Sequence, residues 1–483
     1  MLPYASPESQ GVSSRALARF LRDLNARIRY PQGLVFVRHG HVVCEAYWAP
    51  AAPDIPHQLF SLTKSFTSSA IGIAIGEGRL SLDDTILPFF PEYDTPAVGP
   101  RMRRVTIRHL LTMSCGHAEC PSHRMLDADP ACDLVKGFLE LEPVYEPGTH
   151  FAYNSIGTYM LSAILRRVTG ENLSDYLLPR MLEPVGIGPL YSEKCRCHGT
   201  DIGGWGLWAS TRQLALAGQL WLHDGAWNGR QIIPADYMRE ATSWQIQNGP
   251  GSADWCQGYG FQFWRCQHQC VRGDGASGQY VVMDPRRDSV LVINSAIRNM
   301  QEPLDLFWGT MIDAQADAPL PEDPAALDEL RALERSLQSP MATRVAAQAS
   351  AKAPEPVPAP RAFAADANLW GLSTVSLGFR ADGADIEFAF ADRTARFAAR
   401  YGEPAASKAE MIDAGHAIDV ASNLEWLAPD HLRIVALCPG AINRFTLDLH
   451  FAPDGTARLD VDTWLWFFQD RLIRGTVALH PAP

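Results

Sequence analysis

The chain has 483 residues, whereas a typical domain holds about 150, so two to three domains are expected. Its 47% hydrophobic and 20% charged residues are the make-up of a globular protein. Acidic residues number 54 against 42 basic ones, a net charge of −12. That balance argues against a surface that tracks nucleic-acid phosphates or an anionic membrane.

The opening MLPYASPESQGVSS lacks the basic stretch, apolar run and small-residue cleavage site of an export signal. No apolar segment approaches the ~20 residues needed to span a bilayer, so a soluble, cytoplasmic protein is expected. The ten cysteines contain no CxxC pair and read as mostly reduced thiols. His39-Gly40-His41, Cys195-Arg196-Cys197-His198 and Cys266-Gln267-His268-Gln269-Cys270 lack a second pair at ligand spacing. They read as surface loops, and neither a metal nor another cofactor is expected.

In chain order, the first informative stretch is HQLFSLTKSFTSSAIGIAIGEGRLSLDDTI. Ser61-Leu62-Thr63-Lys64 opens an apolar helix that Gly78 can end in a left-handed position. Residues i and i+3 share a helix face, so the Lys64 amine can lie beside the Ser61 hydroxyl, where the helix N-terminus adds free N–H groups. A lysine desolvated by that apolar helix has its charged form disfavoured, and as a neutral amine it can take the serine proton. Taken alone, the same four letters also describe a serine N-cap followed one turn later by a solvated lysine.

The second stretch is EPGTHFAYNSIGTYMLSAILRRVTG. The Pro147-Gly148 turn leads to a short aromatic run with Tyr153, then to an apolar helix ending at Gly170. With these two segments the chain resembles the serine β-lactamase and penicillin-binding-protein-like hydrolases, in particular the class C branch with its carboxylesterases, D-aminopeptidases and D-alanyl-D-alanine carboxypeptidases. Within that superfamily SxxK carries a serine nucleophile. Its second motif is Tyr-x-Asn, here Tyr153-Asn154-Ser155: the tyrosine matches, the third position is Ser155, and an asparagine, Asn154, stands one residue early. RVTIRHLLTMSCGH and GGWGLWASTRQLALAGQLWLHDGAWNGRQIIP follow the family's order, Gly203 to Ser210 resembling its turn into a helix. The likeness covers roughly residues 5 to 315.

The family's third motif, Lys-Thr-Gly or His-x-Gly on an edge strand, corresponds to Gly273-Asp274-Gly275. Gly275 matches the final glycine, and the cation position is Gly273. The resemblance then implies that the backbone N–H groups of Ala276 and Ser61 surround the developing oxyanion. It also places Ser155, Asn154 and Gly275 beside the substrate and makes Tyr153 the relay of the serine proton. Whether Lys64 or Tyr153 is the base stays open. YVVMDPRRDSVLVINS reads as a hairpin around Pro285-Arg286-Arg287-Asp288. Without the family's cation, and with Asp274 nearby, a substrate carboxylate finds less attraction unless Arg272 points inward. Neutral esters or amides are therefore favoured.

LPEDPAALDELRALERSLQ has helical spacing and closes a first unit, residues 1–338. An Ala/Pro-rich linker follows over 339–361, with Pro354, Pro356, Pro358 and Pro360 at alternate positions. From 362 to 483 the period is two: Leu377 and Phe379, then Ala381-Asp382-Gly383, then Ile386, Phe388 and Phe390 read as a hairpin, and the pattern returns around Pro453-Asp454-Gly455. Trp464 to Phe468 read as core or interdomain contact. The expected fold is α+β, an α/β sandwich with an antiparallel sheet flanked by helices and an all-helical subdomain, β-lactamase/transpeptidase-like, plus a C-terminal antiparallel β domain of unassigned role.

The expected activity is hydrolysis of an ester or amide through an acyl-enzyme on Ser61, carboxylesterase-like, the partner being a small ester, amide or peptide-like molecule, with no nucleic acid and no membrane. β-Lactamase, D-aminopeptidase and D,D-carboxypeptidase activities are alternatives, and so is a non-catalytic penicillin-binding-type sensor or binding module. An α/β-hydrolase is excluded, because no serine has glycine at both −2 and +2. Nothing in the sequence indicates the oligomeric state.

Overall fold

The computed structural model describes residues 1–28, 30–121, 125, 132–338, 356–368, 370–391, 393–402, 404–409, 416–441, 443–464 and 472–482. Most of the expected linker, 339–355, and the aromatic run 465–468 lie outside them.

The first part is organised on a six-stranded sheet in the spatial order His41–Tyr47, Pro31–Arg38, Ser289–Ser295, Gln279–Asp284, Val271–Gly275 and Trp264–Arg265, every neighbour antiparallel. The expected hairpin around 285–288 joins two of its central strands, Asp284 facing Ser289. Both faces are covered, and the period of two divides the side chains between two cores. Leu34, Phe36, Tyr280, Val282, Leu291 and Ile293 pack with the helices Ser14–Arg27, Gln301–Met311 and Pro324–Leu337. Val35, Val37, Val281, Met283, Val290 and Val292 pack with the helical layer on the opposite face. A β-lactamase/transpeptidase-like arrangement of sheet and helices results.

At the centre of that layer lies Thr63–Gly76, buried on every side from Thr63 to Ala74. The apolar residues of this enclosed helix pack on its neighbours, and its buried Ser65, Thr67, Ser68 and Ser69 hydroxyls are hydrogen-bonded within the protein. Gly78, at φ 70°, follows its last turn in the left-handed conformation that glycine adopts without steric cost. Ser155–Thr169 packs against it, capped by Asn154 at its start and by Gly170, at φ 79°, at its end. The closing helix Pro324–Leu337 starts on Asp323, whose carboxylate accepts from the Ala326 N–H.

The C-terminal strands form one ten-stranded sheet that begins at Arg361. Leu372–Arg380 and Gly383–Phe390 make the first expected hairpin, and Arg444–Phe451 with Ala457–Trp464 the second. Alternate residues such as Val375, Leu377, Ile434, Leu447 and Leu449 fill a separate core. The expectation of a purely antiparallel sheet needs correction: Thr394–Arg400 also pairs in parallel with Ile418–Ala428, through Arg400 and Asn423. This seam lets the sheet curl back on itself, and closure of that kind removes unpaired edges.

All ten cysteines are free thiols. The Cys/His clusters lie at the surface, with His39, Cys197, His198 and His268 exposed, but Cys195, Cys266 and Cys270 within them turn inward and are buried. A thiol packs as a small apolar group, and Cys266 additionally accepts a hydrogen bond from Arg272 at 3.0 Å. Among the described residues no three His, Cys, Asp or Glu side chains converge as a metal site, and no helix is long and apolar enough to cross a membrane.

Phe66, fully buried on the central helix, meets Trp221 edge-on at 5.2 Å. Phe66→Ala should cost about 3–5 kcal/mol, seen as a lower midpoint in urea unfolding followed by circular dichroism.

Candidate active site

Ser61 lies in a 3₁₀ turn, Phe60–Leu62, immediately before the α-helix rather than on its first α-turn. Phe60 has φ 47°, a left-handed conformation that is costly for a bulky side chain and has to be held in place by its surroundings. Three supports surround it. Leu59 N–H donates to the carbonyl of Leu207 at 2.9 Å, and Leu207 N–H donates to the Thr63 hydroxyl at 3.1 Å. From the other side comes the strand Val271–Gly275, and there the glycines matter: a Cβ on Gly275 would fall 2.1 Å from the Leu59 carbonyl oxygen, and one on Gly273 2.4 Å from Leu62 Cδ1. At Gly275 the approach is to backbone and admits no side chain, whereas at Gly273, the family's cation position, a side chain would have to push the end of Leu62 aside.

Lys64 is 1% exposed, and its Nζ donates to Ser61 Oγ at 3.0 Å, Ser155 Oγ at 3.1 Å and the Gly204 carbonyl at 2.5 Å. Burial lowers its pKa to about 7, with the acidic groups of Cys120 and Asp274 pulling weakly the other way. Tyr153 hydrogen-bonds to Ser61, and burial pushes its phenol well above the usual value. The Lys64 Nζ lies 4.8 Å from the centre of the Tyr153 ring. The structure thus brings Ser61, Lys64, Tyr153 and Ser155 into one hydrogen-bonded group.

The remaining residues singled out in the sequence are placed differently. Asn154 is 2% exposed and both ends of its amide are engaged within the protein: Oδ1 accepts from Gly157 N–H at 3.0 Å and Nδ2 lies 3.2 Å from His117 Nδ1. Gly275 packs against Leu59, and Ala276 follows it at the end of the same strand. Asp274 and Arg272 form a buried ion pair, Nε to Oδ2 2.7 Å. Arg272 also donates to the Asp254 carbonyl at 3.0 Å and lies over the Trp255 ring at 4.5 Å. Its charge is consumed inside the protein.

Against that geometry the comparisons are decisive. The Beta-lactamase family matches residues 17–306, more than half of the chain. The chain belongs to the Beta-lactamase family of serine hydrolases. It is 28% identical over 319 residues to the 6-aminohexanoate-dimer hydrolase of Paenarthrobacter ureafaciens, covering 60% of this chain and 79% of that one. It is 26% identical over 245 residues to an uncharacterized protein of Alkalihalophilus pseudofirmus, 44% of this chain but only 65% of that relative's length. In fold it is similar to a Bacillus anthracis protein provisionally named a 6-aminohexanoate-dimer hydrolase, with TM-score 0.52, 23% identity, and 67% and 89% of the two chains covered. The structure of SurE is similar at TM-score 0.50 and 17% identity over 89% of this chain and 98% of that one, a likeness that reaches into the C-terminal strands.

Several residues of this Beta-lactamase-family site carry no signal in the sequence. Trp264 stacks on Tyr153 with centroids 5.4 Å apart, and Tyr259 stands edge-on to Trp264 at 4.9 Å. Neither lies in a motif, and the strand Trp264–Arg265 is too short to show a periodicity that would mark it. The Gly204 carbonyl is a backbone group, and only the double glycine Gly203-Gly204 hints at a close approach.

With its pKa lowered to about 7, Lys64 acting as the base would fix the sign of the pH response. Below that pH the Lys64 amine holds its proton and leaves Ser61 unactivated, so kcat/KM should fall about tenfold per pH unit on the acid side. A pH profile with a p-nitrophenyl ester measures this, and a flat profile across neutrality would assign the base elsewhere.

Proposed function

We propose that the chain hydrolyses esters or amides of a small uncharged molecule through an acyl-enzyme on Ser61, in the manner of a carboxylesterase. The observation that carries this reading is the fate of charge at the third motif: Gly273 supplies no cation, and the charge of Arg272 is paired with Asp274 inside the protein. A substrate that depends on a carboxylate–cation contact has no partner there, whereas an ester or amide carbonyl needs only backbone donors.

In the proposed cycle Ser61 Oγ attacks the carbonyl carbon while its proton passes to neutral Lys64. The tetrahedral oxyanion is met by the N–H groups of Ser61 and Ala276, donors whose individual loss costs about 3–4 kcal/mol of barrier. Tyr153, protonated at neutral pH and bonded to Ser61, then passes a proton to the leaving alcohol or amine, and Lys64 restores it. The C–O or C–N bond breaks and the acyl group stays on Ser61. Water, deprotonated by the same amine, cleaves that ester and returns the hydroxyl. Ser155 holds the amine in place through a hydrogen bond of 3.1 Å. The amide arm of the reading is supported by the name of the Paenarthrobacter relative, a 6-aminohexanoate-dimer hydrolase.

The alternatives divide by measurement. Short p-nitrophenyl esters should be turned over well above nitrocefin, and Ser61→Ala should abolish both turnover and fluorophosphonate labelling. Faster opening of nitrocefin would overturn the substrate preference. Labelling without turnover would favour a penicillin-binding-type sensor, and preference for D-amino-acid amides an aminopeptidase.

A further inference from the structure

The geometry points to a role for the C-terminal barrel as a positioning element of the catalytic turn, acting through a three-residue strand that both cores share. This rests on the reading of Ser61 as the nucleophile.

That strand is Leu207–Ala209, the middle of a small sheet with His57–Gln58 on one side and Tyr191–Ser192 on the other. Its side chains alternate between two cores. Leu207 and Ala209 pack in the helical layer around Thr63–Gly76, while Trp208, 4% exposed, packs in the apolar core of the barrel. In the barrel His416 meets Trp208 edge-on at 4.6 Å and Tyr191 at 4.0 Å. The backbone of the same strand holds the nucleophile turn, through Leu207 to Leu59 and to Thr63. Just upstream, Gly204 supplies the carbonyl that fixes Lys64.

A second contact grips the other side of the turn. Gln58 N–H, three residues before Ser61, donates to the carbonyl of Gly440 at 2.6 Å. Gly440 has φ 84°, and a Cβ there would fall 2.1 Å from the Pro56 carbonyl oxygen, so the barrel turn fits against Pro56–Gln58 only without a side chain. Gln32 Nε2 donates to the Ala441 carbonyl at 2.9 Å while its Oε1 lies 3.1 Å from His57 Nδ1, and Arg444 hydrogen-bonds to the Tyr30 hydroxyl. The two contacts, Trp208 and Gly440, act on paired strands, since Gln58 stands opposite Trp208. Together they fix the backbone that has to hold Phe60 in its left-handed conformation.

The barrel therefore sets the rate at which Ser61 is acylated rather than the affinity for substrate. In the full chain, Trp208→Ala and Gly440→Val should each slow the second-order reaction of Ser61 with a small fluorophosphonate, and lower kcat for an ester, by up to about 100-fold, the scale of a displaced reacting group. KM should stay near that of the unaltered protein, Trp208→Phe should restore most of the rate, and Gln32→Ala should slow acylation without removing an apolar side chain from either core. Leu479→Ala, which shortens a buried side chain of the barrel core while keeping Trp208 and Gly440, should leave the acylation rate unchanged. Folding is checked by circular dichroism and the urea midpoint. Folded Trp208→Ala, Gly440→Val and Gln32→Ala proteins that all acylate at the rate of the unaltered chain would overturn the proposal, as would changes confined to KM. Failure of the unaltered chain to label at all would instead refute the reading of Ser61.

Discussion

A buried lysine amine that has three acceptors and no carboxylate in contact with it is the constraint on which the site depends. As an ammonium Lys64 donates to Ser61, Ser155 and the Gly204 carbonyl, and as a neutral amine it can keep the last two and accept from Ser61; enclosure brings its pKa down to about 7. The balance is delicate. A carboxylate touching the amine would hold its proton, and removal of the acceptors would leave a buried polar group unpaired, at a cost of about 1–3 kcal/mol. The Arg272–Asp274 pair belongs to this balance. The charge of Asp274 favours the protonated lysine, but that charge is already shared with a guanidinium 2.7 Å away.

Nucleophile geometry is built from backbone rather than from side chains. A left-handed Phe60 places Ser61 at a sharp corner, and the corner is closed on one side by Leu207 and on the other by a strand whose two glycines let it reach the Leu59 carbonyl and the Leu62 side chain. This explains a departure from the family's third motif that looks severe when read as letters. The final glycine is required by its contact with the Leu59 backbone, the cation position holds a glycine packed against the Leu62 side chain, and the proposed main-chain N–H donors are indifferent to the identity of Ala276.

Much of this was legible in the sequence because it follows from periodicity and short-range spacing. The i, i+3 relation of Ser61 and Lys64, the hairpins at 285–288 and 381–383, the capped helix after Tyr153 and the closing helix on Asp323 are all local. The illegible parts are long-range or carried by backbone. Trp264 reaches Tyr153 across more than a hundred residues of chain, the Gly204 carbonyl has no letter of its own, and the direction of Arg272 depends on Asp254 and Trp255 folding over it. Asn154 illustrates the converse. Read beside the family motif it is a substrate contact, yet the physics of a helix start also favours asparagine there, and its amide is occupied by Gly157 and His117. The parallel seam of the barrel escaped because closure depends on two strand edges meeting, which alternation within a strand does not encode.

Composition and mechanics also draw different borders. The Ala/Pro-rich stretch marks where the chain passes from one core to the other, but the cores meet elsewhere, at Trp208, more than a hundred residues upstream. A strand of three residues is too short to be stable alone, and this one is held by apolar packing from two directions, Leu207 and Ala209 into one core and Trp208 into the other. Its backbone is therefore sensitive to both. Because that same backbone accepts from Leu59 and donates to Thr63, strain in the barrel has a direct path to the corner that carries Ser61, without any barrel side chain having to enter the cleft.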